Sequence, residues 1–244
     1  MTKTRAAFAS LCFLLCLMAA ATPAGAAGRP TVVELFTSEG CSSCPPADAL
    51  LAELATRPDV LALSFHIDYW NRLDWKDPFS SPEATKRQGR YARLLGLDGV
   101  YTPQIIVDGR WPAVGSDRTA IEAALAKARE GRADVPVTLA LDRGQARVEL
   151  AASGNAVSAA IWLIGFDRHR VDTVERGENA GRTLAHVDVV RGFAEIGRFT
   201  GEATEIKAPV PWRSDRIAAI LQAPDGRILG AAATDAGPIA SAQR

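Results

Sequence analysis

Residues 31–46 read TVVELFTSEGCSSCPP, and this stretch carries the strongest indication of the fold. Thr31 to Thr37 is a short run of mostly apolar and β-branched residues, which is typical of a strand buried in a mixed sheet. The two prolines that end the stretch suit the first turn of a helix, where backbone N–H groups have no partner inside the helix. The stretch therefore predicts a buried strand, a tight connection that holds two cysteines, and a helix.

Cys41 and Cys44 lie in this connection, at the predicted start of the helix. Unpaired backbone N–H groups and the positive end of the helix dipole favour a thiolate there. A thiolate attacks a disulfide far better than a thiol does, and a second cysteine three residues on can resolve the mixed disulfide. We therefore predict a redox-active pair with Cys41 as the nucleophile and Cys44 as the resolving thiol. If Cys41 is exposed, an alkylating reagent should modify it well below the ordinary cysteine pKa of about 8.5, and faster than Cys44.

The N-terminus has the three zones of a secretory signal. It begins with the basic residues Lys3 and Arg5, continues with an apolar run from Ala6 to Ala21, and ends in small residues at Ala24-Gly25-Ala26. The apolar run is shorter than the roughly 20 residues that span a bilayer. We therefore predict a signal peptide over residues 1–26, and a periplasmic or secreted mature protein without a membrane anchor.

Removal of this signal changes the charge and the cysteine content. The whole chain has 28 basic and 28 acidic residues, and the signal carries two basic residues and no acidic one. The mature net charge of about −2 gives no electrostatic reason to expect nucleic acid or an anionic membrane as a partner. Cys12 and Cys16 leave with the signal, so every mature thiol belongs to Cys41 and Cys44. Oxidised pairs persist outside the cytoplasm, so a disulfide between them is chemically allowed.

The apolar pattern changes near the middle of the chain. From Thr31 to about Arg129 it predicts the element order βαβαββα, and from Val135 onward it predicts strands with period-two alternation, broken by turns. We therefore predict an α/β domain over residues 27–134, followed by a smaller antiparallel β-sandwich domain over residues 135–244. The segment from Glu130 to Asp134 is the predicted linker.

A second motif, Tyr101-Thr102-Pro103-Gln104, precedes a predicted strand at Ile105. A proline that opens a strand cannot donate to the ladder, so it belongs at a bend or in a cis bond. Together with the Cys pair and the βαβαββα order, this motif resembles the thioredoxin superfamily, in which a cis-proline loop faces the C-x-x-C. The resemblance implies a thioredoxin-like first domain, with Pro103 as the cis proline and with the backbone of Thr102 binding a substrate peptide.

A closer resemblance extends over most of the mature chain. It is carried by the strings SEGCSSCP (38–45), HIDYW (66–70), WKDPF (75–79), YTPQ (101–104) and RGENAGRTL (176–184). They are similar to a family of exported bacterial thioredoxin-like proteins of unknown function. No tryptophan precedes Cys41, and Ser42-Ser43 replaces the Gly-Pro of ordinary thioredoxins. The resemblance therefore implies a fold, but neither a substrate nor a reduction potential.

These features predict an exported thiol–disulfide oxidoreductase that acts on protein or small-molecule disulfides and thiols, needs no cofactor and exchanges with a redox partner protein. One alternative is a thioredoxin-fold module of the cell envelope that binds metal or peptide without redox turnover. In another, the β-sandwich is the functional part of an envelope interaction protein. A purely structural bridge is disfavoured, because closing so short a loop removes little entropy from the unfolded chain.

Glu39 and His66 are candidate accessory residues. Glu39 lies two residues before Cys41 and could shuttle protons, although its charge works against a neighbouring thiolate; alternatively it lies solvated at the edge of the loop. His66 could join the two thiolates in a copper or zinc site, since soft thiolates suit both metals. The alternative is a packed or hydrogen-bonded residue at the end of a strand. We predict that the protein is metal-free.

Arg182 and His186 are two further accessory candidates. They follow a glycine-rich segment beginning at Arg176, in a part of the chain otherwise built of strand residues. We predict that this segment packs against the first domain near the Cys pair, where a positive charge would favour the Cys41 thiolate. The alternative is an ordinary exposed loop.

Overall fold

The computed structural model describes residues 28–130, 132, 134–154 and 157–236. The predicted signal, its cleavage site and the first two cysteines lie outside the described residues, as do two positions of the predicted linker. The strands of the described part are β1 (Thr31–Thr37), β2 (Val60–His66), β3 (Gln104–Val107), β4 (Trp111–Val114), β5 (Val137–Asp142), β6 (Gln145–Leu150), β7 (Ala159–Thr173), β8 (Thr183–Phe199), β9 (Thr204–Pro209), β10 (Arg216–Gln222) and β11 (Ile228–Asp235). The helices are α1 (Pro45–Ala55), α2 (Pro82–Leu94) and α3 (Arg118–Arg129).

The first half has the predicted order βαβαββα. Every residue of β1 and of β2 is buried, as their apolar sequences require. β1 pairs with β2 in parallel and with β3 antiparallel, and β3 continues into β4 through a turn at Asp108-Gly109. Both turn residues have positive φ angles, of 50° and 69°, which is the conformation that this hairpin turn requires.

Each helix of the first half begins at a residue that suits a helix start. In α1 two prolines occupy the first turn and Cys44 is the N-cap residue. In α2 the side chain of Ser81 accepts a hydrogen bond from the backbone N–H of Ala84. In α3 the N-cap residue is Asp117, whose carboxylate accepts a hydrogen bond from the backbone N–H of Ala120.

The second half differs from the predicted β-sandwich domain. Four of its strands extend the sheet of the first half, giving the order β11-β10-β7-β8-β2-β1-β3-β4, and β5-β6-β9 form a smaller antiparallel sheet. The two halves meet where Val189 of β8 pairs with Ser64 of β2. The fold is therefore a large mixed sheet with a smaller antiparallel sheet. The predicted linker falls between α3 and β5, but the large sheet runs through both halves.

Burial on both faces of β7 explains this arrangement. Ile161 and Leu163 pack with side chains of the small sheet, whereas Ile164 and Phe166 pack with side chains of the first half. A strand that buries both faces needs a layer on each side of it. The large sheet supplies one of these layers by curving back, so that β7, β10 and β11 share a core with β1, β2 and β3. The members of this core include Val32, Phe36, Leu63, Phe65, Ile106, Ile164, Phe166, Ala218, Ile220 and Ile228.

Two hairpin turns, the one after β3 and the one before β11, contact each other and close the curved sheet. A Cβ atom on Gly109 would lie 1.9 Å from the carbonyl oxygen of Gly226, so only glycine fits there. Beside this contact the Arg29 guanidinium pairs with the Asp108 carboxylate at 2.7 Å and donates to the Ile228 carbonyl. None of the helices in the described part of the chain has the length and apolar character that a membrane crossing requires.

Candidate functional site

The Cys pair lies where β1 leads into α1, as the sequence predicts. Cys41 and Cys44 form a disulfide, and the Cys44 N–H donates to the Cys41 carbonyl at 3.1 Å. The hydroxyl of Ser43 lies 3.3 Å from Cys41 Sγ. Both cysteines have an exposed fraction of 0%. The condition of an exposed Cys41, on which the alkylation expectation depends, is therefore not met in this conformation.

A loop of the second half contacts the Cys-x-x-Cys turn. This loop, residues 174–182, connects β7 to β8, and we call it the 174–182 loop. Its Asn179 is fully buried, and its side-chain nitrogen donates to the carbonyls of Glu39 and Cys41 at 2.8 and 2.9 Å. Arg182 donates to the Asn179 side-chain oxygen at 2.7 Å and so holds the amide in this orientation. The predicted packing of this segment against the Cys pair is present, and Asn179 makes the direct contact.

Glu178 adds a second contact between the 174–182 loop and the Cys-x-x-Cys turn. Its carboxylate accepts hydrogen bonds from the Ser42 backbone N–H at 3.0 Å and from the Ser42 hydroxyl at 2.6 Å. These two hydrogen bonds lower the pKa of Glu178. The loop therefore places an anion where backbone N–H groups precede α1.

Behind the disulfide, His186 lies between two buried carboxylates. Its Nε2 is 3.3 Å from Glu39 Oε1, and its Nδ1 is 3.9 Å from Asp48 Oδ2. Burial acts to lower the pKa of His186, but the two carboxylates outweigh it and raise the pKa to about 9. His186 is therefore an imidazolium at neutral pH. Trp75 donates its indole N–H to the other oxygen of Glu39 at 2.8 Å.

His66 belongs to the same buried polar group, but it faces a different partner. Its Nδ1 is 2.7 Å from Asp77 Oδ2, which also accepts the backbone N–H of Glu39. Burial raises the pKa of Asp77, but the nearby His66 imidazole and the backbone donors outweigh this effect and leave the pKa below its ordinary value. The His66 ring packs edge-on against the His186 ring at 4.7 Å. Within the described residues, no group of three or more His, Cys, Asp or Glu side chains is arranged to hold a metal ion.

Thr102 and Pro103 lie between α2 and β3 in the chain. The bond between them is cis, which confirms that prediction. A Cβ atom on Gly115 would lie 2.9 Å from the Cβ atoms of both Pro103 and Ala47, so Pro103 lies beside the first turn of α1. The Trp70 indole donates to the Thr102 hydroxyl at 2.8 Å, and its Cβ would lie 3.1 Å from a Cβ on Gly40.

Residues 32–222 match the family described as protein of unknown function (DUF1223). The chain belongs to this family.

Two solved structures have a fold similar to that of this chain. The X-ray crystal structure of a structural genomics target from Agrobacterium tumefaciens is 33% identical in sequence, with a TM-score of 0.75 over 86% of this chain and 96% of that protein. HBP35 of Porphyromonas gingivalis is 16% identical, with a TM-score of 0.63 over 89% of this chain and 79% of that protein, a similarity of fold alone. No curated protein has a sequence that matches this chain.

In the structure, most of the site residues that the sequence singled out lie close together. Glu39, His66 and His186 form one buried group behind the disulfide, and Arg182 reaches the site through Asn179. Sequence reasoning did not single out Asp48, Asp77, Glu178 or Asn179 as site residues. Asp48 carried a signal, because it is a charged residue among the apolar positions of α1. At Asn179 and Glu178 the only sequence signal is their place in a glycine-rich segment. That signal does not identify which residues they contact.

Proposed function

We propose that the protein is an exported thiol–disulfide oxidoreductase, with a thioredoxin-like first half that carries the redox pair Cys41 and Cys44. The observation that carries this proposal is the disulfide at the start of α1, backed by a buried group of titratable side chains. Ionisable groups held in a buried cluster beside a reactive atom are typical of functional sites.

The proposed reaction is thiol–disulfide exchange. In the reduced protein the Cys41 thiolate attacks a substrate disulfide, forms a bond to one substrate sulfur and releases the other as a thiolate, which takes up a proton. Cys44, as a thiolate, then attacks Cys41 Sγ, closes the Cys41–Cys44 disulfide and releases the second substrate thiol. The substrate disulfide is reduced while the protein dithiol is oxidised, and the reverse sequence oxidises a substrate dithiol.

Asp48 and His186 suit the proton transfer of this exchange. Asp48 lies one helical turn after Cys44, and its backbone N–H donates to the Cys44 carbonyl at 3.1 Å. Its carboxylate can accept the proton that Cys44 loses before it attacks. The positive charge of the His186 imidazolium favours thiolates on both cysteines.

Cys41 has no exposed surface in the present conformation, and we propose that movement of the 174–182 loop, which contacts the Cys-x-x-Cys turn, gives access to it. The loop is held by the hydrogen bonds of Asn179 and Glu178 to the Cys-x-x-Cys turn. Such side-chain contacts between two loops can break without unfolding the sheets. Beside the turn, Thr102 and Pro103 are the proposed contacts for a substrate peptide.

The proposed setting is the periplasm or the cell exterior, and the proposed partners are protein or small-molecule thiols and disulfides together with a redox partner protein. The complete burial of both cysteines favours a second candidate, a peptide-binding module of the envelope in which the disulfide does not turn over.

The catalysed reduction of insulin disulfides by dithiothreitol separates the two candidates. An oxidoreductase accelerates the reaction, loses the acceleration in Cys41→Ser, and accumulates a mixed disulfide on Cys41 in Cys44→Ser. If the wild-type protein is no faster than Cys41→Ser and Cys44→Ser traps no insulin chain, the oxidoreductase proposal is wrong and the binding module is supported. Circular dichroism of each variant checks that the fold is retained.

A further inference from the structure

A cavity of about 660 Å³ lies outside the residues that surround the Cys pair. Its walls come from the end of α1, the start of β2, the segment before β5, and strands β8, β10 and β11. Its volume lies within the range of about 300–1,000 Å³ that small-molecule sites occupy.

The walls of the cavity are mostly small apolar side chains. Ala231, Ala232 and Ala233 form one wall, and Val135 and Val137 form another. Small side chains leave space that larger ones would fill, and the apolar surface favours an apolar occupant.

Four charged side chains also line the cavity, those of Arg29, Asp134, Asp188 and Arg216, and Asp188 differs from the other three because it forms no ion pair with a described residue. It lines the cavity with an exposed fraction of 8%, and no hydrogen bond reaches its carboxylate from any described residue. The Asp188 oxygens are not fully enclosed by protein, so they open onto the cavity, where a group of a ligand can pair with them. Its backbone has a φ of 46°, and the two neighbouring residues, Val187 and Val189, keep their pairing to β7. The strand therefore departs from regular geometry at the residue that lines the cavity.

Two cations lie near Asp188, and one of them, Arg216, lines the cavity itself. The Arg216 guanidinium lies 3.5 Å from an Asp235 oxygen and 5.2 Å from the centre of the Phe166 ring. Arg168 pairs with the same Asp235 carboxylate. These two cations favour the charged form of Asp188, but burial is the larger effect and raises its pKa to about 6. At neutral pH the carboxylate is therefore largely anionic and lacks a donor.

Arg29 and Asp134, which also line the cavity, do not provide a partner for the Asp188 carboxylate. Arg29 pairs with Asp134 at 2.9 Å and with Asp108 at 2.7 Å, so its charge is compensated by carboxylates of its own. Arg132 pairs with the other oxygen of Asp134 at 3.0 Å. Of the two carboxylates that line the cavity, Asp134 is paired, and Asp188 is the one that forms no ion pair with a described residue.

We propose that this cavity binds a small organic amine, whose ammonium group pairs with Asp188 while its apolar body packs against Ala231–Ala233 and the two valines. A charge-assisted hydrogen bond from an ammonium group supplies the missing donor and is stronger than one from a neutral hydroxyl. The site is independent of the proposed redox function, although β8 carries both Asp188 and, two residues earlier, His186.

Tryptamine and tryptophol test this proposal. They share the same indole body, but tryptamine carries an ammonium group where tryptophol carries a hydroxyl group. Isothermal titration calorimetry should give an affinity for tryptamine at least about tenfold higher than for tryptophol in the wild-type protein. Asp188→Asn should remove this difference, and Ala233→Phe, which fills the cavity, should abolish binding of both compounds. Asp98→Asn, which removes a carboxylate from an exposed loop, is the matched control and should behave like the wild type.

Equal affinities of the two compounds for the wild-type protein would overturn the proposal, as would a preference for tryptamine that survives Asp188→Asn. NMR spectra of the wild-type protein provide a readout that does not depend on any variant. Tryptamine should shift the methyl signals of Ala231–Ala233. Shifts confined to other parts of the chain would also overturn the proposal.

Discussion

Asn179 is the residue that joins the second half of the chain to the Cys pair. One amide group satisfies two buried carbonyls, of Glu39 and Cys41, and its own oxygen is satisfied by Arg182. Buried carbonyls that lose their partner carry a desolvation cost, so these bonds hold the 174–182 loop closed. At the scale of single residues, the proposed access to Cys41 therefore depends on a side chain 138 positions away in sequence.

We predict that Asn179→Ala opens the site. Loss of its hydrogen bonds should destabilise the closed loop by about 1–3 kcal/mol and accelerate reduction of the disulfide by dithiothreitol by roughly tenfold or more. Reduction is followed by alkylation and mass spectrometry. Glu175→Ala changes an exposed residue of the same loop and is the control. A rate for Asn179→Ala equal to that of the control would contradict the proposed role of this loop in access to Cys41.

His186 should make stability depend on pH. Its pKa rises from an ordinary 6.5 to about 9 in the folded protein, so its contribution is fully present below pH 6.5 and is lost as the pH rises through about 9. The contribution is about 3 kcal/mol. Urea unfolding of the wild-type protein from pH 6.5 to pH 9.5 should show this loss, and His186→Gln should not. The exposed His169→Gln should follow the wild type, and a pH dependence retained in His186→Gln would show that another group is responsible.

At the scale of elements, α2 is attached to the sheet through a buried ion pair. Arg87 of α2 pairs with Glu34 of β1 at 2.6 Å, and both side chains are almost completely buried. The guanidinium also lies 5.4–5.7 Å from the centres of four aromatic rings, Phe65, Tyr91, Trp162 and Phe193. These rings come from α2, from β2 and from two strands of the second half, so the ion pair sits where the elements converge.

We predict that Arg87→Met lowers the free energy of unfolding by about 3–5 kcal/mol, because it leaves Glu34 as an unpaired buried charge. The double variant Glu34→Leu with Arg87→Met should be less destabilised than the single variant, since no charge stays buried. Chemical unfolding measures all three proteins, with Arg93→Met, an exposed residue of α2, as the control. A double variant that is less stable than Arg87→Met would contradict this account.

The elements also show how far the sequence predicts the structure. β1 is predicted with its observed bounds, because seven mostly apolar residues end at a cluster of turn residues. β8 was missed, because its 17 residues include two glycines and several charged residues, and its faces change from buried to partly exposed along its length. Its place beside β2 depends on one paired position, Ser64 with Val189, which no local pattern encodes.

The candidate site also has one part that the sequence predicts and one part that it does not. The Cys pair and the cis proline follow from local sequence, because a strand, a turn and a helix start position them. The contacts of Asn179 and Glu178 depend on how the long β7–β8 hairpin is laid against the first half. Single-sequence periodicity carries no information about that placement.

At the scale of the whole molecule, the large sheet makes the two halves interdependent. The core shared by β1, β2 and β3 with β7, β10 and β11 would be exposed if either half stood alone. We predict that residues 28–130 expressed alone show no cooperative thermal unfolding by circular dichroism. As the matched comparison, the whole chain cut at a protease site placed within residues 130–134 should stay associated and unfold cooperatively. Cooperative unfolding of residues 28–130 alone would show that the first half is an independent domain.

The central claim is that Cys41 and Cys44 act as an exchanging dithiol, and the reaction of the reduced protein with oxidised glutathione tests it most directly. We predict that the wild-type protein returns to the disulfide and releases two molecules of glutathione. Cys44→Ser should accumulate one glutathione on Cys41, more than about tenfold faster than the model thiol N-acetylcysteine reacts, because the helix start and His186 favour the thiolate. Mass spectrometry of quenched samples follows both reactions. A Cys41 that stays unmodified in Cys44→Ser, or that reacts no faster than the model thiol, would contradict the account.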